Sequence, residues 1–238
     1  MKKWKRFLLV TLAVLLALCV AAGIYLNDYY RADQERVDAM TADLDYVFGV
    51  WGDGTRVFLP EGEWDRALIF YPGGKVECDA YAPLLARCAE AGVACMLVEM
   101  PGNLAVLDMD AAEDVQARYP EVEHWYMAGH SLGGSMAASF ASEADWVEGL
   151  ILLAAYSTAD VTDIPTLSIY GTQDGVMNRE KYDQYRSNLP QDMTEVILEG
   201  GNHAFFGVYG PQKGDGTAVI SNLEQIDQTA ALIAEFVN

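Results

Sequence analysis

From residue 46 onward, apolar runs of strand length alternate with stretches whose apolar residues recur at helical spacing. Strands are expected over 46–50, 56–59, 67–71, 93–100, 124–128, 149–154, 166–170 and 194–198, with Trp51-Gly52-Asp53-Gly54 as a turn between the first two. Helices are expected over 79–91, 111–119, 132–142, 179–187 and 223–236. Continuous apolar strands separated by amphipathic helices imply a mostly parallel sheet covered on both faces, a three-layer α/β domain. Ligands in such sheets bind beyond the carboxyl ends of the strands. The residues that follow each strand therefore carry the functional information.

The first part of the chain has a different pattern. Over residues 7–26 an apolar run is interrupted only by Thr11 and Gly23. At about 1.5 Å per residue, a helix of that length crosses a hydrocarbon layer of roughly 30 Å. Lys2, Lys3, Lys5 and Arg6 precede the run, which keeps that end cytoplasmic and sends the remainder outside. The expected organisation is a basic segment (1–6), a transmembrane signal-anchor (7–26), a juxtamembrane helix or linker (27–45) and a catalytic domain (46–238). The competing reading is a signal peptide, with Val20 and Ala22 as small residues before a cut, which would release a secreted domain lacking residues 1–22. A lipoprotein cut before Cys19 is disfavoured by the bulk of Leu18.

Charge and cysteine content narrow the partners. The chain of 238 residues holds 15 Lys+Arg against 35 Asp+Glu, a net charge of −20, which excludes nucleic acid as a partner. Because the four leading bases lie before the apolar run, the rest of the chain is more acidic than the whole. It should be repelled by anionic lipid, favouring neutral or cationic substrates. Cys78, Cys88 and Cys95 show no CxxC spacing, and the three histidines show no metal-ligand spacing, so neither a disulfide nor a metal site is expected. No cofactor is called for, and the oligomeric state stays open.

The strand at 124–128 runs into Gly129-His130-Ser131-Leu132-Gly133 and then a helix. In a G-x-S-x-G turn the serine holds a strained backbone, and residues two before and two after it pack too closely for side chains. The turn raises the hydroxyl above the sheet and aims a helix N-terminus at it, which suits a nucleophile generating an oxyanion. The plainer reading is a glycine-rich strand-to-helix turn. For a base, His130 adjoins Ser131 and should diverge from it, while His124 begins the same strand, about 23 Å away at roughly 3.3 Å per residue. His203 remains, in Glu199-Gly200-Gly201-Asn202-His203 at a strand's carboxyl end. Asp174, after the strand at 166–170, is the candidate orienting acid; Asp160, Asp163 and Glu99 compete with it. Oxyanion donors are expected at the N–H of Leu132 and, from Pro72-Gly73-Gly74-Lys75, at Gly74 with Lys75 next.

These segments make the chain resemble an α/β-hydrolase from about residue 64 to the end. They are Tyr71-Pro72-Gly73-Gly74, Gly129-His130-Ser131-Leu132-Gly133-Gly134, Ile169-Tyr170-Gly171-Thr172-Gln173-Asp174-Gly175 and Gly201-Asn202-His203. It is similar to compact bacterial members near the dienelactone-hydrolase-like group. The resemblance implies a triad of Ser131, Asp174 and His203, whose order is the one the fold uses. It departs from many relatives in having Pro72 where they carry His, and in a long continuation after His203. Residues 155–165 are too few for a helical cap, so an open site favours small or extended accessible substrates over enclosed lipids. Met177, Phe205, Phe206 and Tyr209 either line an apolar acyl pocket or pack beneath the long loop. The expected function is a serine hydrolase, a carboxylic-ester hydrolase acting on a small acyl substrate. An acyltransferase, a peptidase or an inactive tethered binding module are the alternatives.

Overall fold

In the computed structural model, which describes residues 3–238, eight strands form a single sheet. In chain order they are β1 (Val47–Val50), β2 (Arg56–Leu59), β3 (Arg66–Tyr71), β4 (Ala94–Leu97), β5 (His124–His130), β6 (Val147–Leu153), β7 (Thr166–Gly171) and β8 (Thr194–Leu198). Across the sheet the order is β1-β2-β4-β3-β5-β6-β7-β8. Strand β2 is antiparallel to both neighbours, and every pairing from β4 to β8 is parallel. The helices are α1 (Lys3–Asn27), α2 (Gln34–Thr41), α3 (Ala82–Glu90), α4 (Ala111–Gln116), α5 (Leu132–Ala141), α6 (Arg179–Gln184) and α7 (Asn222–Val237).

Successive strand residues point to opposite faces, so a strand buried at every position must be covered on both sides. Leu68, Ile69, Phe70 and Tyr71 of β3 are fully buried, as are Leu150 to Leu153 of β6. Helices α3 and α7 pack together, and α5 packs on β5 and β6. This is the α/β architecture the periodicity implies.

Several boundaries differ from expectation for local reasons. Strand β4 stops at Leu97: Val98 N–H still bonds Phe70 O at 3.1 Å, after which Glu99 turns to pair with Arg56 and Pro101 opens a turn. The helix expected at 79–91 divides at Tyr81 into a 3-10 turn (Cys78–Tyr81) and α3, with Pro83 in the first turn of α3, where its missing N–H costs nothing. Helix α6 ends at Gln184 and gives way to a 3-10 turn at Arg186–Asn188. Residues 155–165 contain no helix, and the segment is fastened by Val161 N–H to Asn188 O at 2.8 Å and Asn188 Nδ2 to Ser157 O at 3.1 Å.

The polar stretch at 27–45 is joined to the body. Tyr30 bridges to Val76, Asp33 N–H donates to Val208 O at 2.9 Å, and Val37 of α2 is buried. Scattered apolar residues such as Val37 are what let so polar a stretch pack against the body. Helix α1, by contrast, buries none of its side chains. It is 25 residues long with a mean hydropathy of 2.8 over its most apolar window, long and apolar enough to cross a membrane.

Candidate active site

Strand β5 delivers Ser131 at its carboxyl end, where Ser131 N–H still bonds Leu153 O of β6 at 2.9 Å. The chain reverses there into α5 with Ser131 at φ 53° and ψ −119°, a conformation costly for any residue with a Cβ. The neighbouring glycines make the turn possible. A Cβ on Gly129 would come within 2.5 Å of the Gly133 carbonyl carbon, and one on Gly133 would overlap the carbonyl oxygens of Tyr71 and Pro72. Strand β5, helix α5 and the end of β3 thus meet with no room for a side chain. The half-exposed serine sits over the N-terminus of α5.

The loops after β7 and β8 bring Asp174 and His203 together. His203 Nδ1 lies 2.9 Å from Asp174 Oδ2, and both side chains are 1% exposed. Asp174 Oδ1 accepts from the N–H groups of Val176 and Met177 at 2.9 and 2.8 Å. Burial raises this carboxyl's pKa. The hydrogen bond and charge of His203, with the two amides, outweigh that and hold it below the usual value. An ionised carboxylate only accepts, so His203 donates to it from Nδ1. His203 Nε2 is buried with no hydrogen-bond partner.

Ser131 and His203 are linked through His130, whose ring centroid is 4.5 Å from that of His203. The His130 side chain is fully buried, and its Nδ1 is 2.8 Å from Tyr81 Oη. Tyr81 Oη in turn accepts from Gly73 N–H at 3.0 Å. Burial, reinforced by the adjacent His203, holds the His130 pKa well below 6.5.

The loop after β3 separates its amides by use. Gly73 N–H is taken by Tyr81, and Lys75 N–H donates to Asn103 O at 2.7 Å, whereas Gly74 N–H has no protein acceptor among the described residues. Gly74 also lies against the residue after Ser131: a Cβ there would be 2.9 Å from Leu132 Cδ2. Of the apolar candidates, Phe206 is fully buried with its ring 5.5 Å from His130, and Met177 and Tyr209 are nearly so. Phe205 is half-buried and lines a cavity of about 410 Å³ with Arg36, Asn202 and Pro211, which neither Ser131 nor His203 lines. Among the described residues, no three His, Cys, Asp or Glu side chains form a metal-binding group.

A sequence model described as the alpha/beta hydrolase family matches residues 67–227, the stretch from β3 into α7. The chain belongs to the alpha/beta hydrolase family. Three solved structures share the hydrolase fold. Est1E from Butyrivibrio proteoclasticus superposes with a TM-score of 0.58 at 17% identity, covering 81% of this chain and 98% of that one. The esterase domain of a Rhodothermus marinus protein gives 0.59 at 13% identity, covering 82% and 97%. A Pyrobaculum calidifontis esterase gives 0.56 at 18%, covering 85% and 89%. No curated protein matches the chain significantly.

The hydrolase body also contains supporting residues that the sequence did not mark. Asp215 Oδ1 accepts from Gly175 N–H at 3.1 Å and His203 N–H at 3.2 Å, and its Oδ2 from Ala204 N–H at 2.8 Å. One carboxylate therefore pins the acid loop to the histidine loop. Gln225 of α7 braces the same loop, accepting from Asn202 N–H at 3.0 Å and donating to Asn202 O at 2.8 Å. Asp215 lies in Gly214-Asp215-Gly216, which in sequence reads as an ordinary turn.

Proposed function

We propose that the chain is a membrane-anchored serine hydrolase that cleaves carboxylic esters through Ser131, His203 and Asp174. The observation that carries this is the buried Asp174–His203 pair at 2.9 Å, which leaves an unpartnered Nε2 beside the Gly129–Gly133 turn bearing Ser131. That two of the three similar solved structures are an esterase and an esterase domain favours an ester over other acyl compounds.

In the first step Ser131 Oγ attacks the ester carbonyl while His203 Nε2 takes its proton. The N–H groups of Leu132 and Gly74 hold the resulting oxyanion. Gly74 is preferred over its neighbours because their amides are already engaged. The C–O bond to the alcohol then breaks, and that oxygen receives the proton from His203. Water repeats the sequence on the acyl-enzyme, releasing the acid and restoring Ser131. Asp174 keeps the His203 proton on Nδ1 and stabilises the imidazolium. Met177, Phe206 and Tyr209 form the apolar flank of the site, whereas Phe205 lines the separate cavity beside Arg36 and Pro211. They are carried by the acid and histidine loops, and the Met177 amide is bonded to Asp174 itself.

Residues 1–6 are assigned to the cytoplasmic side, 7–26 to the membrane and the catalytic body to the outer side, on the charge order and apolarity of α1. The test is turnover of a graded series of p-nitrophenyl esters, with product analysis in the presence of alcohol and amine acceptors. Hydrolysis lost in Ser131→Ala and in His203→Ala supports the reading. Equal turnover by those variants, or transfer products exceeding free acid, overturns it.

A further inference from the structure

Helix α1 meets the body at the loop that follows β4. A Cβ on Gly102 would lie 2.8 Å from Leu26 Cδ2, and Gly23 and Leu26 are half-buried while their neighbours along the helix are exposed. Lys75 completes the junction. Its Nζ is 4.2 Å from the centroid of the Tyr25 ring and 3.5 Å from Asp28 Oδ2. Its N–H donates to Asn103 O at 2.7 Å, and its carbonyl accepts from Tyr30 N–H at 2.8 Å. The exit of the apolar helix, the loop after β3 and the loop after β4 are thereby tied into one knot. Gly74, next to Lys75, rests on Leu132 at the start of α5.

All of these contacts are at the carboxyl edge of the sheet, because β3, β4 and β5 are parallel. The opposite edge, where Glu123 precedes β5, is about 23 Å away for a strand of 7 residues at roughly 3.3 Å per residue. Further along the loop after β4, Ala105 is buried while Val106 and Leu107 are 56% and 58% exposed. Helix α5 packs against this turn. Two large aliphatic side chains therefore stand in water on the segment that touches the apolar helix, one layer from the nucleophile turn.

We propose that the carboxyl edge of the sheet faces the bilayer holding α1, that Val106 and Leu107 enter its interfacial layer, and that Ser131 acts on acyl esters resident in that leaflet. The substrate class rests on the Ser131 mechanism above; the orientation does not. A site without a helical cap can take an ester from the interface without enclosing it. Asp108 and Asp110 are exposed beside the two aliphatics, so the favoured surface is zwitterionic or neutral, and anionic headgroups oppose the approach.

The test uses the full chain in phosphatidylcholine vesicles. A polarity-sensitive fluorophore is placed on Val106→Cys, in a Cys19→Ser background where the remaining cysteines, Cys78, Cys88 and Cys95, are buried. The label should brighten several-fold and be quenched by brominated acyl chains, while a label on Glu123→Cys should be neither, and replacing half the lipid with phosphatidylglycerol should weaken the effect. A solvent-like label at Val106, or equal quenching at both positions, overturns the orientation. For the substrate class, the Val106→Asp/Leu107→Asp variant should hydrolyse diacylglycerol in the same vesicles at least tenfold less well relative to a water-soluble short-chain ester. An unchanged ratio overturns that class. No turnover of either ester by the parent protein removes both the Ser131 mechanism and the substrate assignment, and the fluorescence then decides the orientation alone.

Discussion

At the scale of single residues, the decisive group is the proton on His203 Nδ1. Asp174 holds it there because its other oxygen is saturated by two backbone amides, so the carboxylate stays ionised and aimed. Asp174→Asn can reverse the polarity of that bond and favour the tautomer with a protonated Nε2. On the proposed mechanism kcat should fall by roughly 10³–10⁴ with little change in KM, read from steady-state ester hydrolysis. His130 makes a different prediction, about stability. Its folded pKa lies well below 6.5. In the unfolded chain it titrates near about 6.5, so below that pH the unfolded state binds more protons. Its contribution is complete above about pH 6.5 and is lost as pH falls towards the folded value. Asp174 behaves likewise at lower pH: its contribution is complete above about 4 and is lost as pH drops through its depressed folded pKa. Denaturant midpoints should therefore fall between pH 7.5 and 5, and less steeply in His130→Asn; equal slopes in parent and variant contradict this.

At the scale of elements, the Gly129–Gly133 turn depends on three backbones in contact. A methyl group at Gly133 would occupy the space of the carbonyls of Tyr71 and Pro72, at and just past the end of a strand buried from Ala67 to Tyr71. Neither backbone can yield without breaking the β3–β5 register, in which Tyr71 faces Gly129. Gly133→Ala should therefore cost several kcal/mol. The expected result is loss of soluble folded protein, or a much lower thermal midpoint, and a parent-like midpoint contradicts it. This turn was legible in the sequence, because glycine spacing around a serine records a local steric need. The strands were legible too, since burial on both faces leaves unbroken apolar runs such as Leu68–Phe70. Contacts between loops distant in sequence left no such trace. Asp215 supports His203 from 12 residues away and Gly175 from 40. Nothing in Gly214-Asp215-Gly216 distinguishes it from a surface turn. The docking of residues 27–45 was hidden for the same reason: Tyr30 and Val37 are isolated apolar positions, and only their partners make them anchors.

At the scale of the whole molecule, the chain has two parts of opposite polarity: an apolar helix with no buried side chain and an acidic α/β body. Tyr30, Asp33 and Val37 attach to the body without help from α1. Deleting residues 1–27 should therefore move the protein from the membrane to the soluble fraction with its thermal midpoint nearly unchanged. Persistence in washed membranes would contradict the assignment of α1 as the anchor. The acidity of the body is compatible with this arrangement when the leaflet it faces is not itself anionic.

The central claim is that Ser131 is the nucleophile, and a mass measurement addresses it most directly. The purified protein is treated with a fluorophosphonate and its peptides are sequenced by mass spectrometry. One phosphonyl adduct per chain is expected, on Ser131, strongly reduced in His203→Ala and absent in Ser131→Ala. An adduct on another residue, or equal labelling of Ser131→Ala, would contradict it.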